Sequence, residues 1–248
     1  MCLCILVHQW LEDTPLIMAA NREEHYDRPS LLPAWRPDGL FAGSDQRQGG
    51  TWQGLNTSGL LVALTNRKGT IQDPSRRSRG LLCQDALQSA SARSSVEWLF
   101  DHFSRQLYNP CNLLIADARE AFAIHYDGHQ ASMQILNPGL HLLADTDVDD
   151  PMHPRIQQAR ALLEELPADW PTLRDMLKSV MADHDENLIP SDRICIHGER
   201  AGTLSSSIVA LCERNLNQAE FHFADGPPCA KPNANLSPRL NEYNADAD

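Results

Sequence analysis

The sequence predicts an α+β fold in which two antiparallel sheets pack face to face with a helical layer outside each, a four-layer α-β-β-α sandwich. Three observations carry this. Short strand-like runs come in blocks separated by hairpin turns, which build antiparallel rather than crossover-connected sheets. Two pairs of amphipathic helical segments separate those blocks. No linker of altered composition interrupts the pattern, so residues 1–248 are expected to form one domain, with a loose tail from about residue 227.

The elements follow in order. Leu3 to Val7 is a buried strand, and Leu16 to Ala20 its hairpin partner, ending at Asn21-Arg22-Glu23-Glu24. Pro29, Pro33 and Pro37 then fix φ and remove backbone donors, which predicts an ordered loop. Strands at Trp52–Leu55 and Leu60–Thr65 flank Asn56-Thr57-Ser58-Gly59, a turn sequence. Two helices come next, the second carrying Val96, Leu99, Phe100, Phe103 and Leu107 at helical spacing.

A second strand block covers Asn112–Ala116, Ala121–His125, Gln130–Leu136 and Leu140–Ala144, punctuated by Asp127-Gly128 and Asn137-Pro138-Gly139. The following helix bears Ile156, Ala159, Leu162, Leu163 and Leu166, and another runs from Pro171 towards Ala182. Arg193–His197, Ser206–Leu211 and Glu220–Phe223 complete the expected strands.

Composition excludes some functions. The formal net charge is −12, from 33 acidic and 21 basic residues, and an acidic surface repels phosphate backbones, so no nucleic-acid partner is expected. Arg67, Lys68, Arg76, Arg77 and Arg79 form a local basic segment, read as a solvated loop or as an anion-binding lip over a pocket. No apolar run reaches transmembrane length, and the first residues lack the pattern of a signal peptide. With seven cysteines, an odd number, reduced thiols and a cytoplasmic location are expected. Cys195 with His197, and His125 with His129, lack the paired spacing of a structural zinc site, so no metal is expected. Nothing in the sequence signals an oligomeric state.

The chemistry concentrates at the terminus. Excision of Met1 would leave Cys2 carrying both a thiol and a free α-amine. An α-amine has a reference pKa near ~8, so part of it is neutral at physiological pH and able to act as base to the thiol. The ordinary alternative is a small buried residue on a strand, with Cys4 on the same face.

Several motifs, taken jointly and in this order, carry a resemblance: Met1-Cys2-Leu3, Ala20-Asn21-Arg22-Glu23-Glu24, Gly49-Gly50-Thr51-Trp52, Ala63-Leu64-Thr65-Asn66 and Ser78-Arg79-Gly80-Leu81. Tyr108-Asn109 with Asn112-Leu113-Leu114, Gly139-Leu140-His141-Leu142, and Gly202-Thr203 with Ser205-Ser206 continue it. The chain resembles the NRDE family, also called the transport-and-Golgi-organisation protein 2 family. The family is similar in organisation to cysteine N-terminal-nucleophile hydrolases such as bile-salt hydrolases and penicillin V acylases. The resemblance therefore implies an N-terminal-nucleophile (Ntn) hydrolase fold with a pocket at Cys2.

It also implies a residue set of Cys2, Asn21, Arg22, Glu24, Asn66 and Asp145. Cys2 is the nucleophile, and Arg22 beside it favours the thiolate, its alternative being a surface ion pair with Glu23, Glu24 or Asp27. Asn21 and Asn66 orient the amine or donate to an oxyanion, their alternative being turn capping. Three positions depart from the pattern. Glu23 replaces an aspartate, Leu204 a basic residue and Asp145 an asparagine. Asp145 donates to an oxyanion only if burial keeps it protonated; otherwise the hole is impaired or the correspondence shifted. The expected activity is hydrolysis of a small amide or related acyl substrate without a cofactor. The resemblance also allows a non-enzymatic carrier or chaperone, with haem or an acyl lipid as its ligand.

Overall fold

Alternation along the first two strands sorts the side chains into separate cores. The computed structural model describes residues 2–69, 72–212 and 215–242. In β1 (Leu3–His8), Cys4 and Leu6 join one apolar cluster, whereas Leu3, Ile5 and Val7 join another. In β2 (Leu16–His25), Leu16, Met18 and Ala20 go with the first cluster and Ile17 and Ala19 with the second. A strand buried on both faces must be central and covered on both sides.

Further strands are β3 (Ser30–Trp35), β4 (Leu40–Asp45), β5 (Gln53–Asn56) and β6 (Leu61–Asn66), followed by helices α1 (Arg79–Ala86) and α2 (Ala92–Phe103). Then come β7 (Cys111–Ala116), β8 (Ala121–Tyr126), β9 (Ala131–Leu136), β10 (Gly139–Leu143), α3 (Pro154–Leu162) and α4 (Trp170–Met181). The chain continues through β11 (Ala201–Cys212), β12 (Asn215–Ala224), β13 (Ala234–Asn235) and α5 (Ser237–Asn241).

One sheet has the order β10-β1-β2-β11-β12-β13 and the other β3-β4-β5-β6-β7-β8-β9, with antiparallel pairing throughout both. Between them lie Leu6, Met18, Phe41, Leu61, Leu114 and Phe221. Leu82 and Leu99 of α1 and α2 cover Val62, Leu113 and Ile124 on the outer face of the second sheet. Ile156, Leu173 and Leu177 of α3 and α4 cover Ile5 and Ile17 on the first. The α-β-β-α layering is as expected from the element order.

Local expectations are corrected in four places. The proline-rich segment is not a loop but a hairpin of β3 and β4. Its Pro33 is tolerated because β3 is an edge strand whose register shifts between Leu31 and Ala34. Arg193–His197 is not a strand: a single 3-10 turn at Pro190–Asp192 precedes it, and only an isolated bridge joins His197 to Gly202. On the helices, Phe100 and Leu162 face solvent, and Leu107 lies beyond the end of α2. The tail from 227 is ordered through residue 242. Leu240 is fully buried in the inter-sheet core, its carbonyl accepts from Trp35 Nε1 at 2.8 Å, and Ser237 Oγ accepts from Phe221 N at 3.0 Å. Its last six residues, and Met1 with its expected excision, lie outside the described residues. No described helix is long and apolar enough to cross a membrane.

Candidate active site

Strand register places the candidate nucleophile. Leu3 pairs with Asn21 and Cys4 with Ala20. Cys4 and Ala20 face the inter-sheet core, so two residues outward Cys2 and Arg22 share that side. Cys2 is half-buried at the start of β1, and Arg22 is almost wholly buried.

Arg22 lies with its guanidinium carbon 4.3 Å from the centroid of the Trp52 ring, a cation–π geometry. Trp52 is held by glycines. A Cβ on Gly43 would stand 2.6 Å from the Trp52 ring. Gly50 has φ +78°, and a Cβ there would come within 2.1 Å of the Gly80 carbonyl carbon. Thr51 N donates to Gly80 O at 2.9 Å, so the Gly49-Gly50 turn docks directly on the start of α1.

These elements enclose a cavity of about 240 Å³. Of the expected site residues, Cys2, Arg22, Glu24 and Asn66 line it, together with Trp52 and Arg79. At its rim Arg28 bridges Glu24 at 3.3 Å and Asp45 at 2.5 Å. Burial lifts the Cys2 thiol above its ordinary value, and neighbouring Glu23 adds to the rise; the Glu23 backbone amide and Arg22 pull it down without reversing it. Arg22 thus acts in the expected direction, but burial outweighs it and favours the thiol form.

Two expected residues are elsewhere. Asn21 points to the opposite face, where its Nδ2 donates to the carbonyls of Met181 at 2.9 Å and Ile194 at 3.1 Å. Its amide ties the loop after α4 to β2. Asp145, just past the end of β10, is buried, accepts from His153 Nε2 at 2.7 Å and lies 3.5 Å from Lys68 Nζ. Burial pushes its pKa up, but His153 and Lys68 outweigh that and hold it below the usual carboxylate range. Asp145 is therefore an ionised acceptor, not a protonated donor, and it does not line the cavity.

Glu23 is buried on the Asn21 side, accepting from Arg155 Nη2 at 2.9 Å and from Thr203 Oγ1 at 3.4 Å. The basic segment divides. Arg76 donates to the carbonyls of Tyr108 and Gly128, and Arg77 to Asp85 and the Tyr108 hydroxyl, while Arg79 alone of the five reaches the cavity. Trp52 and Arg79 were visible as motif members; their signal as site residues was the glycines near them, Gly49-Gly50 just before Thr51-Trp52 and Gly80 after Arg79.

The two-sheet architecture with a cysteine at the head of a central strand defines a class. In solved structures it matches proteins of the Ntn-hydrolase fold. An N-acylethanolamine-hydrolyzing acid amidase ortholog from Caenorhabditis elegans aligns with a TM-score of 0.55 at 16% identity, over 84% of this chain and 92% of that one. Penicillin V acylase from Agrobacterium tumefaciens aligns with a TM-score of 0.55 at 10% identity, over 91% and 83%. The family follows from sequence. The Transport and Golgi organisation 2 family model matches residues 1–221, and this chain belongs to that family. It is 32% identical to the Transport and Golgi organization protein 2 homolog of Bos taurus over 216 residues, and 30% identical to that of Homo sapiens over 213. Each alignment covers 80% of this chain and 76% of the relative.

Proposed function

We propose that this chain is a cysteine Ntn hydrolase that cleaves an amide or related acyl bond of a small substrate. The observation that supports it is the convergence of Cys2, Arg22 and Asn66 on one cavity at the head of β1. Once Met1 is removed, the Cys2 α-amine takes the thiol proton as sulfur attacks the substrate carbonyl. The tetrahedral oxyanion receives a hydrogen bond from the Asn66 amide, and Arg22 stabilises negative charge at sulfur. Collapse transfers the proton from the α-amine to the leaving nitrogen and leaves a thioester. Water, deprotonated by the same amine, then releases the carboxylic acid and restores the thiol.

The cavity lies slightly below the usual ~300–1,000 Å³ of small-molecule sites, which suits the reacting end of a substrate rather than an enclosed large ligand. Its walls carry Arg22, Arg28 and Arg79 against Glu24 and Asp45, favouring a polar group next to the scissile bond.

The test is intact mass and peptide mapping before and after a mild thiol electrophile, followed by turnover of a panel of N-acyl amides. The expected result is a mass lacking Met1, preferential labelling of Cys2, and turnover abolished in Cys2→Ala and Cys2→Ser. Turnover that survives Cys2→Ala overturns the mechanism. Haem or acyl-lipid binding that persists in Cys2→Ala, without any turnover in the parent protein, favours the carrier reading instead.

A further inference from the structure

Outside the candidate active site, the fold gathers two cysteines and two histidines that are far apart in sequence. His184 follows α4, Cys195 and His197 precede β11, and Cys229 sits in the turn after β12. Potential ligand atoms of His184, His197 and Cys229 lie within 4.8 Å of one another. Cys195 Sγ stands 3.6 Å from Cys229 Sγ and 3.7 Å from His197 Nε2, and His197 Nε2 is 3.1 Å from Cys229 Sγ. Bond lengths of about 2.3 Å to sulfur and 2.0 Å to nitrogen give a tetrahedral zinc site edges of roughly 3.3–3.8 Å. The three measured edges fall at or close to that range.

We infer that His184, Cys195, His197 and Cys229 form a structural site for a divalent zinc ion, separate from the Cys2 cavity. Two sulfurs and two imidazole nitrogens are the donor set that tetrahedral Zn²⁺ prefers. Binding releases the two thiol protons to solvent, and two thiolates then balance the charge of the ion.

The surroundings hold the ligands in place. The His184 Nδ1–H donates to the Ala182 carbonyl at 3.0 Å, which leaves Nε2 for the metal. Cys195 N donates to Asp183 O at 2.7 Å, while Ile196 and Thr203 exchange hydrogen bonds of 2.8 and 2.9 Å, fixing the Cys195–His197 segment. Ala230 and Lys231 both donate to Pro227 O at 2.9 Å, which closes the turn bearing Cys229. Sequence spacing hides the site because only Cys195 and His197 are close in the chain; the other two arrive from α4 and β12.

The site would brace the back of β2. Ile194, next to Cys195, accepts at its carbonyl from both Asn21 and Arg155.

The experiment uses full-length protein kept under a non-thiol reductant, loaded with zinc, freed of loose ion by gel filtration and assayed for metal content. A parallel sample takes cobalt(II) for its absorption spectrum. Expected are one zinc per chain, and a cobalt spectrum with thiolate charge-transfer and intense tetrahedral bands. Both should disappear in Cys229→Ser and His197→Gln and persist in Cys2→Ala. Far-UV circular dichroism checks that each variant is folded, and the exposed His197 offers a second variant should Cys229→Ser fail to fold. No stoichiometric zinc in the reduced parent, or stoichiometric zinc retained in a folded His197→Gln and Cys229→Ser, overturns the site. So does loss of the metal in Cys2→Ala, which would place it at the cavity.

Discussion

Asn21 and Arg22 are neighbours in sequence and opposites in role. Strand alternation sends the amide towards the helical layer and the guanidinium towards Cys2. Arg22→Gln is expected to slow electrophile labelling of Cys2 on the order of tenfold at neutral pH, because a cation beside a thiol favours its ionised form. Trp52→Ala should act in the same direction but more weakly, since it removes a cation–π contact of about 1–2 kcal/mol and leaves the charge. Asn21→Ala should leave labelling nearly unchanged while lowering stability by roughly 1–3 kcal/mol in denaturant titration, because the Met181 carbonyl loses its Asn21 donor and the Ile194 carbonyl keeps only Arg155. Equal loss of labelling in Asn21→Ala and Arg22→Gln would contradict this division. The sequence marked both residues, but which of them faced the thiol was a question of register. A motif read along the chain does not separate the two faces of a strand, and Asp145 shows the same limit: its identity was legible, its partners His153 and Lys68 were not.

At the scale of elements, β10 is fastened to the loop that follows it by a titratable pair. Asp149, with φ +58°, donates its backbone amide to Leu142 O at 2.8 Å, accepts from Leu142 N at Oδ1 and from His141 Nδ1 at Oδ2, 2.7 Å away. Burial draws the His141 pKa down, but Asp149 and the Asn137 carbonyl outweigh it and raise it. Burial draws Asp149 up, but His141 and the Leu142 amide outweigh it and lower it. The raised histidine contributes stability that is full below its unfolded pKa of ~6.5 and lost as pH climbs through its folded value. The lowered aspartate contributes above ~3.9 and loses its contribution as pH falls through its folded value. The pair is therefore worth most between about pH 4 and 6.5. His141→Gln should cost about 1 kcal/mol in unfolding free energy near pH 5.5 and little at pH 8. A cost that grows with pH would refute the assignment. The strands and helices themselves were largely legible, since hydrophobic alternation and helical spacing act locally. The failures were where a partner decided the outcome: Pro33 was read as a loop because edge position is not a local property, and the 227–242 segment because Trp35 and Leu240 meet across the whole chain.

For the whole molecule, the contact between the Gly49-Gly50 turn and the head of α1 fastens the second sheet to its helical layer beside the cavity. Gly50→Ala combines a left-handed φ with a Cβ driven into the Gly80 backbone. It should cost roughly 2–4 kcal/mol, read as a lowered Tm, and should widen or displace the wall that carries Trp52 and Arg79. A variant as stable as the parent would show that the turn does not bear on the helix. The layering was predicted from the order of elements alone, because blocks of hairpins and pairs of helices admit few arrangements with every apolar face covered. The His184, Cys195, His197 and Cys229 cluster was not, since only the closed sandwich brings the end of α4 against the turn after β12.

Cys2 sits at the head of a strand flanked on both sides, by β10 and β2, and its side chain forms part of the cavity wall. Any peptide joined ahead of Cys2 therefore starts from a residue that lines the cavity, and on the proposed mechanism it would compete with whatever enters there. A purification handle on that end would act as a tethered blocking group as well as capping the amine, so assays of this protein need their handle at the other terminus or a clean release of the first one. On the proposed hydrolase mechanism, freeing the Cys2 amine and clearing the approach to the pocket would be a single event.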